Sequence, residues 1–186
     1  MYWADQIAEK LKERKLPLEW VDDMKTPSGF AHVGCLCGPL FHSILYRSLN
    51  DSKVKTKFSF VINDFDPADE LPPEYRDSLK SYLGFPLRQV PSPDKKFDSL
   101  GSFLAADFIK TFRELGVEAE IFSSWDLYHQ GKFDPVIKMA LDNAEKIQEI
   151  YKRVSGSQKK EAGWLPFQVI CEKCGKLGTT KVYKWD

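Results

Sequence analysis

A chain of 186 residues with 27 lysines and arginines against 27 aspartates and glutamates has no global basic signature, so any contact with nucleic acid must use a local patch. The length suits one domain, or one domain and the beginning of a second, around a real core. Acids and bases interrupt the N-terminal apolar residues, and no stretch approaches the ~18 apolar residues of a membrane span. The expectation is a soluble, cytoplasmic protein with no membrane partner, whose four cysteines stay reduced in two close pairs.

In chain order, Trp3, Ile7 and Leu11 mark one apolar stripe of a short N-terminal helix over 3–14. LEWVDDM reads as a buried strand ended by Thr26-Pro27-Ser28-Gly29, and a helical period runs from His32 through LFHSILYRSL. KFSFVIND, rich in aromatic and β-branched residues, is a second strand that stops at a polar turn. Pro72–Ser99 reads as an elaborated surface excursion with a short helix around Glu74–Leu83. Phe103, Leu104, Phe108, Phe112 and Leu115 share one face of a helix over 102–115, for which Gly116 is the stop. VEAEIF is a third strand and SSWDLYHQG its loop. Residues 134–154 give the strongest helical pattern, with Pro135 in the first turn and Val136, Ile137, Ala140, Leu141, Ala144, Ile147, Tyr151 and Val154 along one side. The tail from Trp164 changes to aromatic and β-branched residues around Cys171-Glu-Lys-Cys174, so we divide the chain into units 1–160 and 161–186.

Strands alternating with helices imply an α/β fold with a mostly parallel sheet, which binds ligands beyond the C-terminal ends of its strands. TPSGFAHVGC lies at such a place. A Ser-Gly turn lets backbone approach a phosphate, and the helix after it offers unpaired N–H groups and a positive dipole end. His32 directs a ring nitrogen to the same spot, and Gly34 leaves room for a flat ligand. The alternative for His32 is a satisfied histidine at a helix start.

P-S-G-x-x-H-x-G at this junction resembles the HIGH signature of class I aminoacyl-tRNA synthetases. YWADQIAEKL, FVINDFDPADELP, SSWDLYHQGKFDPVIKMALDNAEKI and WLPFQVICEKCGKLGTTKV are similar to stretches of the class I lysyl enzymes found mainly in archaea, and the resemblance covers essentially the whole chain. It implies an incomplete Rossmann-like catalytic fold followed by the start of a small zinc-ribbon-like module. It also implies activation of lysine by ATP with magnesium, and transfer of the lysyl group to tRNA-Lys. By this resemblance the ATP site is Pro27, Ser28, Gly29, His32, Gly34 and Cys35, with His32 catalytic. Cys35 departs from the pattern, because His or Asn is common there and a thiol is a weak hydrogen-bond partner.

A lysine substrate calls for carboxylates and aromatic faces. Asp64 and Asp66 at the end of the second strand, with Trp125, Tyr128 and His129 after the third, are the candidates; turn chemistry and packing are the alternatives. Cys171 and Cys174, with Gly175 permitting the turn, form half a zinc knuckle between aromatic strands, and the other two ligands must come from elsewhere. The nearest match to the second class I signature, the KMSKS loop, is Lys152-Arg-Val-Ser155-Gly-Ser157, which reads more simply as helix capping. Lys159 and Lys160 read as a solvated pair, with contact to the tRNA acceptor end as the alternative. The expectation is therefore an N-terminal fragment of a lysine–tRNA ligase, inactive alone. The alternative is a truncated relative that binds nucleotide, tRNA or a protein partner without catalysis.

Overall fold

A computed structural model describes residues 2–156 and 163–186. Strands β1 (Glu19–Lys25), β2 (Thr56–Ile62) and β3 (Glu120–Ser123) lie side by side in that order, all parallel. Their register sets Glu19 against Thr56 and Ile62 against Ser123. Helix α1 (Trp3–Lys12) precedes β1 and α2 (Val33–Asp51) links β1 to β2. The long β2–β3 connection holds the single turn α3 (Arg76–Leu79) and α4 (Leu100–Glu114), which ends just before Gly116.

Strand periodicity decides what each face carries. Val21, Phe58, Phe60 and Ile62 point to one side, where Leu49 of α2 and Ala105, Phe108 and Phe112 of α4 bury them. Phe60, Phe108 and Phe112 form the centre, their ring centroids 5.3–5.7 Å apart. Trp20, Asp22, Met24, Lys57, Ser59 and Phe122 point to the other side, which no described helix packs flat against and where a cavity of about 700 Å³ opens.

Several elements differ from the sequence expectation. In α1 the buried residues are Ala4 and Ala8, not Trp3 and Ile7, because small side chains let α1 approach α2 closely, where Ser48 Oγ donates to Asp5 at 2.7 Å. Pro72–Ser99 is no mere excursion: Leu71, Leu79, Leu87 and Val90 join Leu100 and Leu104 in a second small core. The helix expected around Glu74–Leu83 is α3 between short 3₁₀ turns. SSWDLYHQG contains a helix, α5 (Ser124–His129), started by the Ser123 hydroxyl accepting from the Asp126 N–H at 3.1 Å.

The long helix over 134–154 is two: α6 (Asp134–Asp142) and α7 (Ala144–Ser155), divided at Asn143. The Asn143 side chain donates to the Met139 carbonyl at 2.9 Å, the kind of local bond that competes with helix continuation. Of the apolar side expected there, Leu141 and Ala144 are buried while Val136 and Val154 are 61% and 75% exposed. Among the described residues of 163–186 there is no strand, contrary to the expected pair flanking the cysteines. This tail touches the body through Leu177 N–H to the Gly84 carbonyl at 2.8 Å and Trp185 Nε1 to Asp142 at 2.8 Å. The 160/161 boundary, Ser157, Lys159 and Lys160 fall outside the described residues. No described helix is long and apolar enough to cross a membrane.

Candidate functional site

The three strands end together, so the residues just past them form one edge. Asn63 N–H donates to the Lys25 carbonyl at 2.9 Å, which carries the β1–β2 pairing one step beyond the strands. Thr26 Oγ1 then donates to Asp66 at 2.5 Å, joining the start of the β1–α2 turn to the turn after β2. Pro27 is buried, whereas Ser28 is exposed and Gly29 has open space where a side chain would stand. Phe30 packs edge-on against Phe103, and Ala31 N–H donates to Asp107 at 3.1 Å, so α4 holds the turn from below.

His32 is the N-cap of α2 in extended backbone and is exposed. Cys35 takes the place of the usual polar partner in the cap: His32 N–H donates to its sulfur at 3.2 Å, and the thiol donates to the His32 carbonyl at 3.0 Å. Cys37 hydrogen-bonds separately to the Val33 carbonyl. The His32 ring folds over Gly34, where an added Cβ would lie 3.2 Å from Cε1, so glycine here makes room for the imidazole itself. The arrangement leaves an exposed histidine and the positive dipole end of a 19-residue helix at the sheet edge.

The acids and aromatics divide once the strands end, in the turns after β2 and β3. Asp64 continues the side of Ile62 and faces α4; it is 3% exposed and accepts from Ser123 Oγ, Ser124 Oγ and the Trp125 N–H at 2.9–3.3 Å. Its oxygens are spent on fixing the start of α5, and it lines a different cleft, beside Arg88 and Asp126. Asp66 and Tyr128 instead line the cavity on the uncovered sheet face, together with Phe65. Phe65 stacks on Tyr128 with centroids 4.8 Å apart and tilts against Trp125 at 5.3 Å. Trp125 stacks on His129 at 4.1 Å, behind Phe65. The structure thus brings Asp66 and Tyr128 together and sets Asp64, Trp125 and His129 outside that cavity.

Thr26, Asp107 and Phe65 escaped the sequence reading. Thr26 stood in the recognised turn but looked like punctuation, Asp107 sits between apolar helix positions, and Phe65 passed as part of a polar turn cluster. On the uncovered face a further polar chain runs from Trp20 Nε1, donating to Ser59 Oγ at 2.7 Å, to the Ser59 hydroxyl, donating to Asp22.

In the tail, Gly175 at φ 72 turns the chain so that its N–H reaches the Cys171 carbonyl at 2.8 Å. The Thr179 hydroxyl, 3.5 Å from Cys174 Sγ, holds that thiol below its ordinary range, aided by the Lys176 backbone and Cys171. A tetrahedral zinc needs four ligands. Among the described residues no third His, Cys, Asp or Glu gathers with these two. Lys152–Ser155 form the last turn of α7, closed by Gly156 N–H to the Lys152 carbonyl at 3.1 Å, which is the expected capping.

Residues 1–186, the whole chain, match the family model described as tRNA synthetases class I (K). This chain belongs to the class I lysyl-tRNA synthetase family. It is 36% identical over its full length to the lysine–tRNA ligase of Methanocaldococcus jannaschii, covering 35% of that protein. It is 31% identical to that of Methanococcus maripaludis, again covering 35%, and 29% identical to that of Archaeoglobus fulgidus, covering 37%. The chain therefore spans about a third of the length of these synthetases. Its three parallel strands and their crossover helices are consistent with part of a class I Rossmann-like catalytic domain.

Proposed function

We propose that this chain forms an N-terminal, ATP- and lysine-binding part of a lysine–tRNA ligase. The observation that carries the reading is the β1–α2 turn, with exposed His32 capping α2 at the C-terminal end of a parallel strand and Thr26 tied to Asp66 beside the open cavity. ATP enters as its magnesium complex, with its phosphates on Ser28, Gly29 and the free N–H groups at the start of α2. The α2 dipole and a His32 ring nitrogen stabilise charge on the phosphates. Pro27 and Cys35 shape the turn, and Gly34, which lets His32 lie flat, keeps the floor low enough for adenine.

Of the acids, Asp66 is the better partner for a lysine ammonium, since Asp64 is occupied; Tyr128 and Phe65 supply aromatic faces. Trp125 and His129 then act through Phe65 rather than on lysine. With lysine held so, a carboxylate oxygen of the substrate forms a bond to the α-phosphorus as the bond to the pyrophosphate oxygen breaks. Lysyl-adenylate and pyrophosphate result. The 2′-hydroxyl of the terminal adenosine of tRNA-Lys next attacks the carbonyl carbon, and AMP leaves. No protein nucleophile is needed, and the enzyme's contribution is alignment and charge stabilisation. Cys171 and Cys174 hold a structural zinc when two further ligands join them from outside these residues.

The test is lysine-dependent ATP–pyrophosphate exchange by the full-length protein. His32→Ala lowers kcat/KM by about tenfold or more, a loss of ~1.4 kcal/mol or greater in transition-state stabilisation. An unchanged rate returns His32 to the role of a helix cap, whereas no exchange by the wild-type full-length protein favours one that binds nucleotide, tRNA or a protein partner without catalysis.

A further inference from the structure

Strand β1 meets α2 at a point outside the chemistry proposed above. Asp23 stands two residues before the end of β1, on the helix-covered side that Val21 and Lys25 share. Opposite it, α2 carries Gly38, Pro39 and His42. A Cβ at position 38 would lie 2.6 Å from Asp23 Oδ2, so glycine is what lets the carboxylate come up to the helix backbone. Pro39, buried within the helix, has no N–H, and the Cys35 carbonyl four residues earlier loses its helical donor. The segment Val33–Gly38, which His32 and Cys35 cap, is thereby less firmly tied to the rest of α2.

His42 spans this junction. Its Nδ1 lies 2.8 Å from the Gly38 carbonyl and 3.1 Å from Asp23 Oδ2. A carbonyl and a carboxylate only accept, so Nδ1 carries the hydrogen. The hydrogen-bond geometry favours Gly38, and Asp23 Oδ2, which is buried, accepts no hydrogen bond among the described residues. Its companion Oδ1 accepts from the Met24 N–H at 2.8 Å, which fixes the carboxylate on its own strand. Strand and helix thus converge on one ring nitrogen.

We propose that His42 is a positioning residue for lysine activation: with Asp23 it fixes the Val33–Gly38 segment on the end of β1, and so holds His32 at the sheet edge. The inference rests on the reading of His32 as the group that stabilises charge on the phosphates. An exposed ion pair contributes little, but here the carboxylate oxygen is buried and the tie lies between the end of β1 and the proline. A shift of α2 at that point moves His32 relative to Ser28 and Gly29, and catalysis by alignment is sensitive to such displacements. His42 itself is ten residues along the helix from His32, about 15 Å away by helical rise, so its loss slows the chemical step and leaves substrate binding alone.

The experiment is lysine-dependent ATP–pyrophosphate exchange by the full-length protein, with kcat and the two KM values measured separately. His42→Ala lowers kcat about fivefold and leaves both KM values within about twofold. His42→Asn restores most of the rate, since its amide nitrogen stands where Nδ1 stood and has two hydrogens, one for each acceptor. His42→Gln, whose amide lies one bond further out, does not. Gly38→Ala reaches the same loss by another route: alanine favours the helix, so the fold is kept, but its methyl displaces the Asp23 carboxylate and kcat drops about threefold. In a His32→Ala background, His42→Ala costs under about twofold, because the residue it positions is gone. A full rate in both His42→Ala and Gly38→Ala, an Asn variant no better than Ala, or an undiminished His42→Ala effect without His32 overturns the positioning role alone. A wild-type rate in His32→Ala overturns the reading of the site, and the positioning role with it.

Discussion

The two faces of the sheet are built to different rules. On the helix-covered face, Phe58, Phe60 and Ile62 meet α2 and α4 in a buried aromatic core. The other face presents Trp20, 60% exposed, a Ser59–Asp22 hydrogen bond, and Lys57 set over the Trp20 and Phe122 rings at 5.0 and 5.2 Å. Parallel sheets are ordinarily buried on both faces. Here one face supplies the packing that holds the fold, and the other, rich in aromatic rings and polar groups, is left open by the described residues beside the candidate lysine site. In the proposed function, stability and recognition thus fall to opposite sides of the same strands.

That division makes quantitative expectations. Phe60→Ala, which empties the centre of the covered face, destabilises by ~3–5 kcal/mol in calorimetry or urea titration. A loss under ~1 kcal/mol means that the covered face is not the main source of stability. Asp64→Ala comes next. It is a polar residue on the covered side whose removal leaves donors from Ser123, Ser124 and Trp125 without their acceptor, at a cost of about 1–3 kcal/mol. Should Asp64→Ala instead leave urea stability intact and abolish lysine activation in the full-length protein, Asp64 and not Asp66 is the amine partner. Trp20→Ala on the open face is the smallest, within about 1 kcal/mol, because its ring is mostly in water already. A larger change in Tm than that of Asp64→Ala would erase the distinction between the faces.

Much of this architecture was legible in the order of residues. The alternation in LEWVDDM and KFSFVIND, the Gly-containing turn between them and the apolar face of 102–115 each follow from local periodicity; the first two strands formed where expected, and the third begins at Glu120, three residues into VEAEIF. The misses share a cause. Asn143 interrupts a strongly periodic helix through one side-chain bond to Met139, and Ser123 starts a helix in what reads as loop; both depend on a single hydrogen bond that composition does not reveal. Ala4 and Ala8 displaced Trp3 and Ile7 from the core because closeness of approach to α2, not hydrophobicity, chose the buried stripe. The short pieces within Pro72–Ser99 looked like surface because their small core comes from residues far apart in the chain.

The sequence by itself determined the fold class and the family, since both rest on local patterns: strand and helix periods, and the spacing of Pro27, Ser28, Gly29, His32 and Gly34. Only the tertiary structure decided which acids and rings belong to one site. Asp64 and Asp66 are two residues apart, yet the turn after β2 sends one to Ser123 and Ser124 at the start of α5 and the other to Thr26, because strand parity ends where the strand does. Likewise, Lys15 and Lys53 are distant in sequence and line one small cleft only because two parallel strands start in register.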